Sequence, residues 1–291
     1  MYQNTLRYKK GLYGKAALVL VGLAVALYLS QRTDLPPSGG SWQGYLLGSV
    51  GLLLIVWLSW LGIRKRRYRS NLGTVQGWTS AHIYLGLSLL FIGTLHSAFQ
   101  FGLNIHTLAY VLMCAVIVSG LFGLYVYNRV PPAMIKNRGD KSMDEWLDEL
   151  DQIDREALEV ASHCSAEVQS TLVSAVHRTS LGASFWRQLF GRDPSQVELN
   201  GLRSERTKNG DQRAVISYLA KRVPETSKPH EAQRLQRLLY LVGRRAEILR
   251  HLRRDLSYNA RLGVWLLFHI PLTVALLCAL TAHVIAVFFY W

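Results

Sequence analysis

Apolar residues in this chain come in long unbroken blocks, not at the two-residue or three-to-four-residue intervals of half-buried strands and helices. Five blocks stand out: Leu12–Ser30, Trp42–Ile63, Trp78–Phe99, His106–Tyr127 and Leu262–Tyr290. Each reaches the roughly 20 residues that a helix needs to cross about 30 Å of hydrocarbon. Between the fourth and fifth lies a polar segment of about 130 residues, large enough for a small domain. The pattern predicts an all-α polytopic membrane protein: four transmembrane helices in residues 1–129, a helical insertion at 130–259, and a fifth transmembrane helix at 260–291 that completes the bundle.

Inside the insertion the period changes to that of amphipathic helices. Ser142 and Glu145 have the spacing of a capping box. They open a helix whose apolar positions are Trp146, Leu147, Leu150, Ile153, Ala157 and Val160. A second helix is predicted through Val168, Leu172, Val173 and Val176. The stretch Gly191–Asp211, rich in Gly, Asn, Asp and Ser, reads as a loop. A long basic helix starts near Glu231, carries Leu235, Leu238, Leu239, Val242, Ile248 and Leu252, and can run on into the fifth apolar block. Pro131 and Pro132 are expected to stop the fourth block's helix. Phe185–Phe190 is amphipathic and is either core of the insertion or a contact to membrane or partner, with core the expected role.

The 291 residues are 50% hydrophobic with a formal net charge of +14. Such a charge can signal nucleic acid, but its placement argues for membrane topology. Arg7, Lys9, Lys10 and Lys15 flank the first block, and Arg64–Arg67 with Arg69 follow the second. The loop Gln31–Ser41 carries only Arg32 and Asp34, and Gln100–Ile105 carries no charge. By the positive-inside rule the N-terminus, the Arg-rich loop and 130–259 are cytoplasmic, and the C-terminus lies outside. Trp42, Trp57, Trp60 and Trp78 near block ends, and the terminal Phe288–Trp291, fit interfacial belts. No small-residue cleavage site follows Tyr28–Ser30, so the first block is expected to stay as a signal-anchor helix. Cys114, Cys164 and Cys278 are too few and scattered for a disulfide framework, and no Cys-x-x-Cys-His motif for c-type haem is present. His163, Cys164 and His177 lack zinc-site spacing. Neither a P-loop nor a Gly-x-Gly-x-x-Gly fingerprint occurs.

The chemistry lies in two histidine pairs. His82 and His96 sit fourteen positions apart in the third block, and His269 and His283 fourteen apart in the fifth. Fourteen residues bring a helix back to nearly the same face about 21 Å along its axis. One intramembrane histidine reads as readily as an interhelical hydrogen bond. Four, matched in spacing and depth, point to axial ligation of two haems b. The third and fifth helices run in the same direction, so first pairs with first: His82 with His269 near the cytoplasmic face, His96 with His283 near the outer face. Two imidazoles per iron leave no open position, which suits electron transfer. Gly86 and Gly93 project near the histidine face and can let a flat macrocycle approach the backbone; the other reading is close helix packing. Thr273, Leu276 and Leu280 line the corresponding face of the fifth helix, where Pro271 is expected to disturb the phase of His269. Arg64–Arg69 is a topology signal, with propionate binding as an alternative role. His106 has no spacing partner and reads as an interfacial residue, or as an acceptor for a quinol proton.

On His82, His96, His269 and His283 the chain resembles dihaem membrane cytochromes b. The equal fourteen-residue pairs are similar to those of quinol–cytochrome c oxidoreductase cytochrome b. Their placement on the third and fifth helices is similar to ferric reductases and transmembrane NADPH oxidases. The resemblance implies a cytochrome b subunit in a cell inner membrane, passing electrons between a cytoplasmic iron–sulfur or flavoprotein partner and an outer c-type cytochrome or quinone. The chain departs from those families: no flavin or nicotinamide module follows the fifth helix, and no Pro-Glu-Trp-Tyr quinol sequence occurs. No catalytic residue is assigned. A stand-alone ferric or quinone reductase, and a haem-free transporter or assembly factor, are the alternative functions. Lipid is an expected partner and nucleic acid is not.

Overall fold

A computed structural model describes residues 5–31, 37–66, 73–181, 184–191, 193–199 and 206–289. Arg67 and Arg69 of the basic cluster, Arg32 and Asp34 of the first short loop, and Tyr290 and Trp291 lie outside them. In chain order the helices are α1 (Leu12–Leu29), α2 (Trp42–Ser59), α3 (Leu61–Arg66), α4 (Val75–His96), α5 (Ile105–Arg138), α6 (Met143–Ser162), α7 (Ala166–His177), α8 (Phe185–Leu189), α9 (Arg213–Glu225) and α10 (Pro229–Phe289). Two three-residue strands, β1 (Gln196–Glu198) and β2 (Arg206–Lys208), pair antiparallel between α8 and α9. The protein is thus nearly all-α. It divides into two compact units, Met1–Leu124 with Trp265–Trp291, and Tyr125–Val264.

The first unit contains the apolar helices. Stretches of α1, α2, α4, α5 and α10 are long and apolar enough to cross a membrane. Side-chain oxygens open two of them, Ser41 accepting from Gly44 N and Thr74 from Gly77 N, so donors that the helix leaves orphaned are satisfied. Leu89 of α4 is buried with Ile55 and Leu58 of α2, Met113 of α5 and Leu276 of α10. Ile92 of α4 packs instead with Ala24 of α1 and Leu47 of α2. Large apolar side chains also face outward, among them Leu18, Leu23, Leu53, Phe91, Val118 and Phe288. A water-soluble bundle would expose its polar side there; an apolar exterior fits lipid.

The second unit is built like a soluble domain. Trp146, Ile153 and Ala157 of α6, Val168 and Leu172 of α7, Val197 of β1, Val215 and Leu219 of α9, and Leu235, Leu238, Val242, Ile248 and Leu252 of α10 form one core. The capping box at Ser142 and Glu145 is present in both directions.

Three expectations change here. The helix through Pro131 and Pro132 does not stop but continues to Arg138. Two prolines remove two backbone donors, yet tertiary bonds hold the residues beyond them. Asn137 Nδ2 donates to His251 O, and Arg138 makes a two-pronged ion pair to Asp255 at 2.7 Å for each bond. The expected loop at Gly191–Asp211 contains the β1–β2 pair, in which Val197 reaches the core. The aromatic run Phe185–Phe190 is not core: Phe185, Trp186 and Phe190 are all exposed.

Candidate functional site

Both expected histidine pairs meet. The ring centres of His82 and His269 lie 6.4 Å apart, and those of His96 and His283 lie 6.1 Å apart. First meets first and second meets second, as on parallel helices. Two imidazoles bound on opposite sides of one metal, with metal–nitrogen bonds of about 2.0 Å, place their ring centres about 6 Å apart. The spacing therefore suits one metal between each pair. Leu89 and Leu276, each midway between its helix's two histidines, are buried in the layer separating the pairs.

The hydrogen bonds at the ring nitrogens add a second constraint. His82 Nδ1 lies 3.2 Å from Leu58 O, and His96 Nδ1 lies 2.8 Å from Gly44 O. A carbonyl oxygen can only accept, so both nitrogens carry the proton. His269 Nδ1 lies 2.7 Å from Ser119 Oγ, whose own proton goes to Val116 O at 2.8 Å. That ring donates as well. Each of these neutral imidazoles then keeps its lone pair on Nε2, the form a metal takes up. At the fourth ring, His283 Nδ1 is 2.5 Å from His106 Nδ1. All four Nδ1 atoms are thus engaged; at His283 the Nε2 lone pair is free for a ligand role when His283 is the donor of that bond.

Helices the sequence did not implicate supply these partners. From α2 come Leu58, Gly44 and Gly48; a Cβ on Gly48 would stand 2.7 Å from His96 Cε1. From α5 come Ser119 and Gly120, the latter leaving 3.6 Å to His269 Cε1. The four-residue interval of Gly44 and Gly48 was the available signal, since small residues so spaced form one close-packing face. Of the two glycines the sequence singled out, Gly86 is the more open: a Cβ there would meet only Leu58 Cδ1, at 3.9 Å. At Gly93 the Met113 thioether and Tyr110 of α5 fill the space.

Other residues behave as follows. Thr273 donates its hydroxyl to His269 O at 2.8 Å within α10, so it presents no free hydroxyl to the pair. Pro271 sits inside an unbroken α10, and His269 still meets His82. Arg64 is buried and donates to Gly73 O at 2.7 Å. Among the described residues, no cluster of three or more His, Cys, Asp or Glu side chains forms a metal cage; a haem needs only two protein ligands. At Cys164 the thiol donates to Val160 O, and burial pushes its pKa up, away from the thiolate that binds metals.

No family model, curated protein or solved structure matches this chain.

Proposed function

We propose that this chain is a membrane-embedded dihaem cytochrome b that carries electrons across a cell inner membrane. The observation that carries the reading is the meeting of four histidines as two pairs with ring centres 6.4 and 6.1 Å apart, every Nδ1 already hydrogen-bonded. In this reading five helices span the bilayer, and the N-terminus and residues 130–259 are cytoplasmic by the positive-inside rule. His82 and His269 would hold the cytoplasmic-side haem b, and His96 and His283 the outer one. A bis-imidazole haem supplies one-electron chemistry with no open position for substrate on its iron.

The protein's own part is to hold ring orientation and keep the layer between the pairs dry. Leu58 O, Gly44 O and Ser119 Oγ fix three of the tautomers, and such partners also raise ligand basicity. Leu89 and Leu276 fill the intervening layer without polar atoms. Redox proteins, an iron–sulfur or flavoprotein on the cytoplasmic side and a c-type cytochrome or quinone outside, would complete the path. The reading calls for a donor and an acceptor because a haem iron with two imidazole ligands passes electrons on and has no open position for a substrate.

The test is direct. Expressed in haem-replete cells and purified, the chain should show a reduced b-type α-band and two haems per polypeptide. A colourless protein would leave the histidines as interhelical hydrogen-bonding residues, the reading of a transporter or assembly factor.

Gly48 offers a finer check. Gly48→Ala places a methyl 2.7 Å from His96 Cε1, and the ring cannot move aside without disturbing its 2.8 Å bond to Gly44 O. Haem content should fall from two towards one per chain. Gly51→Ala, one turn along the same helix, meets only Ile92 Cγ2 at 3.8 Å and should keep both. Equal haem content in the two variants would contradict the placement of the outer site.

A further inference from the structure

Helix α8 is too short to be stable alone and is fastened to α10. Ser257 Oγ donates to Leu189 O at 3.3 Å, and a Cβ on Gly263 would stand 3.8 Å from the Phe185 ring. The short helix therefore lies alongside residues 257–263 of α10. The composition of α10 changes in this same interval. Arg250, Arg253, Arg254 and Arg261 come before Leu262, and no Asp, Glu, Lys or Arg follows it.

Where α8 lies, aromatic rings face outward. Trp186 is 55% and Phe190 68% exposed, and neither belongs to the core that the unit's other helices share. Exposed cations occur on the same two elements: Arg187 within α8, and Arg254 and Arg261 one turn to either side of Ser257 on α10. Exposed aromatics interleaved with arginines, level with the first turn of an apolar span, are the composition of a membrane–water interface. The rings suit the acyl boundary, and the guanidinium groups suit lipid phosphates.

We propose that α8 is a membrane-surface element, its Trp186 and Phe190 face resting in the headgroup region of the leaflet that α10 enters. The proposal rests on the membrane placement of α10 and not on haem. An anionic bilayer is the occupant that explains both the cations and the level at which the rings sit.

Nitroxide accessibility tests it on the full chain in nanodiscs of phosphatidylcholine and phosphatidylglycerol. After Cys114, Cys164 and Cys278 are replaced, labels go singly onto Trp186→Cys, Phe190→Cys, Phe268→Cys and Tyr240→Cys. Tyr240 is exposed on α10 about 33 Å before Leu262 at 1.5 Å per residue, and Phe268 is exposed within the apolar part. The ratio of collision with oxygen to collision with a water-soluble nickel chelate should be several-fold higher at 186 and 190 than at 240, and highest at 268. A ratio at 190 equal to that at 240, with 268 still high, overturns this proposal alone. Protection of 190 from both reagents identifies a protein interface and overturns it too. A low ratio at all four positions removes the membrane placement and this proposal with it.

Hydroxyl-radical footprinting of the unaltered chain reads the same surface without substitutions. Trp186, corrected for its intrinsic reactivity, should be oxidised several-fold less than Tyr240 in nanodiscs. Equal oxidation would overturn the proposal.

Discussion

Replacing His82 or His269 by alanine is expected to leave one haem per chain where the unaltered protein holds two, and the haem lost should be the same in both variants. His96→Ala and His283→Ala should each lose the other haem. The reasoning is geometric. Each metal would be held by one ring from α4 and one from α10, with ring centres 6.4 Å apart in one pair and 6.1 Å in the other. Removing either ring halves the protein's grip on that iron and leaves the other pair, about 21 Å away along the helix axis, intact. Combining His82→Ala with His269→Ala should therefore cost no more haem than either change alone, whereas His82→Ala with His96→Ala should give a colourless protein. Pyridine haemochrome quantitation and redox titration of the remaining α-band check both statements. His106→Ala is expected to retain two haems, because His106 contacts His283 through Nδ1 and belongs to no matched pair. If that variant loses one haem while His283→Ala keeps both, His106 is the true ligand and the outer pairing is wrong.

A second large effect is expected far from the histidines. Arg245 of α10 is 3% exposed and Asp154 of α6 is 17% exposed, with 2.5 Å between Nε and Oδ1. Arg245 Nη1 also donates to Thr179 Oγ1 at 2.9 Å. Asp154→Ala strands a buried guanidinium without its counter-ion, a change that costs about 3–5 kcal/mol. Set against a total stability of about 5–15 kcal/mol for a domain, that is enough to loosen the whole second unit. The expected readout is loss of amide-exchange protection across α6 and α7, with haem content kept if the first unit stands on its own core. The double replacement Asp154→Leu with Arg245→Met should recover most of the protection, since swapping a buried ion pair for apolar residues of similar volume is often neutral or better. Full protection in Asp154→Ala would mean that the pair is hydrated and contributes little.

How much of this was legible along the chain varies from residue to residue. The apolar helices were, because the blocks are long and nothing but a helix or a closed barrel satisfies the backbone in lipid. The capping box at Ser142 and the buried face Leu235, Leu238, Val242, Ile248 and Leu252 were too, because both depend on spacing within one helix. The fourteen-residue histidine intervals marked four residues that tertiary structure then brought together.

Most of what was missed joins residues distant in sequence. His106 lies 177 positions from His283, so no spacing rule could pair them. Ser119 and Leu58 became partners of His269 and His82 through helix packing alone. Pro131 and Pro132 are local helix breakers, but Asn137 and Arg138 are held by His251 and Asp255, more than a hundred residues on, and the helix persists. Val197 is the one fully buried residue of a three-residue strand, too short for alternation to register. Phe185, Trp186 and Phe190 looked like core because aromatic rings usually are, yet all three are exposed.

Periodicity and charge placement, read along the chain alone, therefore specified most of the longer helices, the apolar character of five of them, and which side chains are candidates for chemistry. These follow from backbone geometry and from solvent preference, and both act within one segment. The partners of each imidazole, the continuation of α5 past its prolines, and the outward display of α8 were settled by packing between segments. Such contacts join residues that share no local pattern, so spacing within one segment reports few of them.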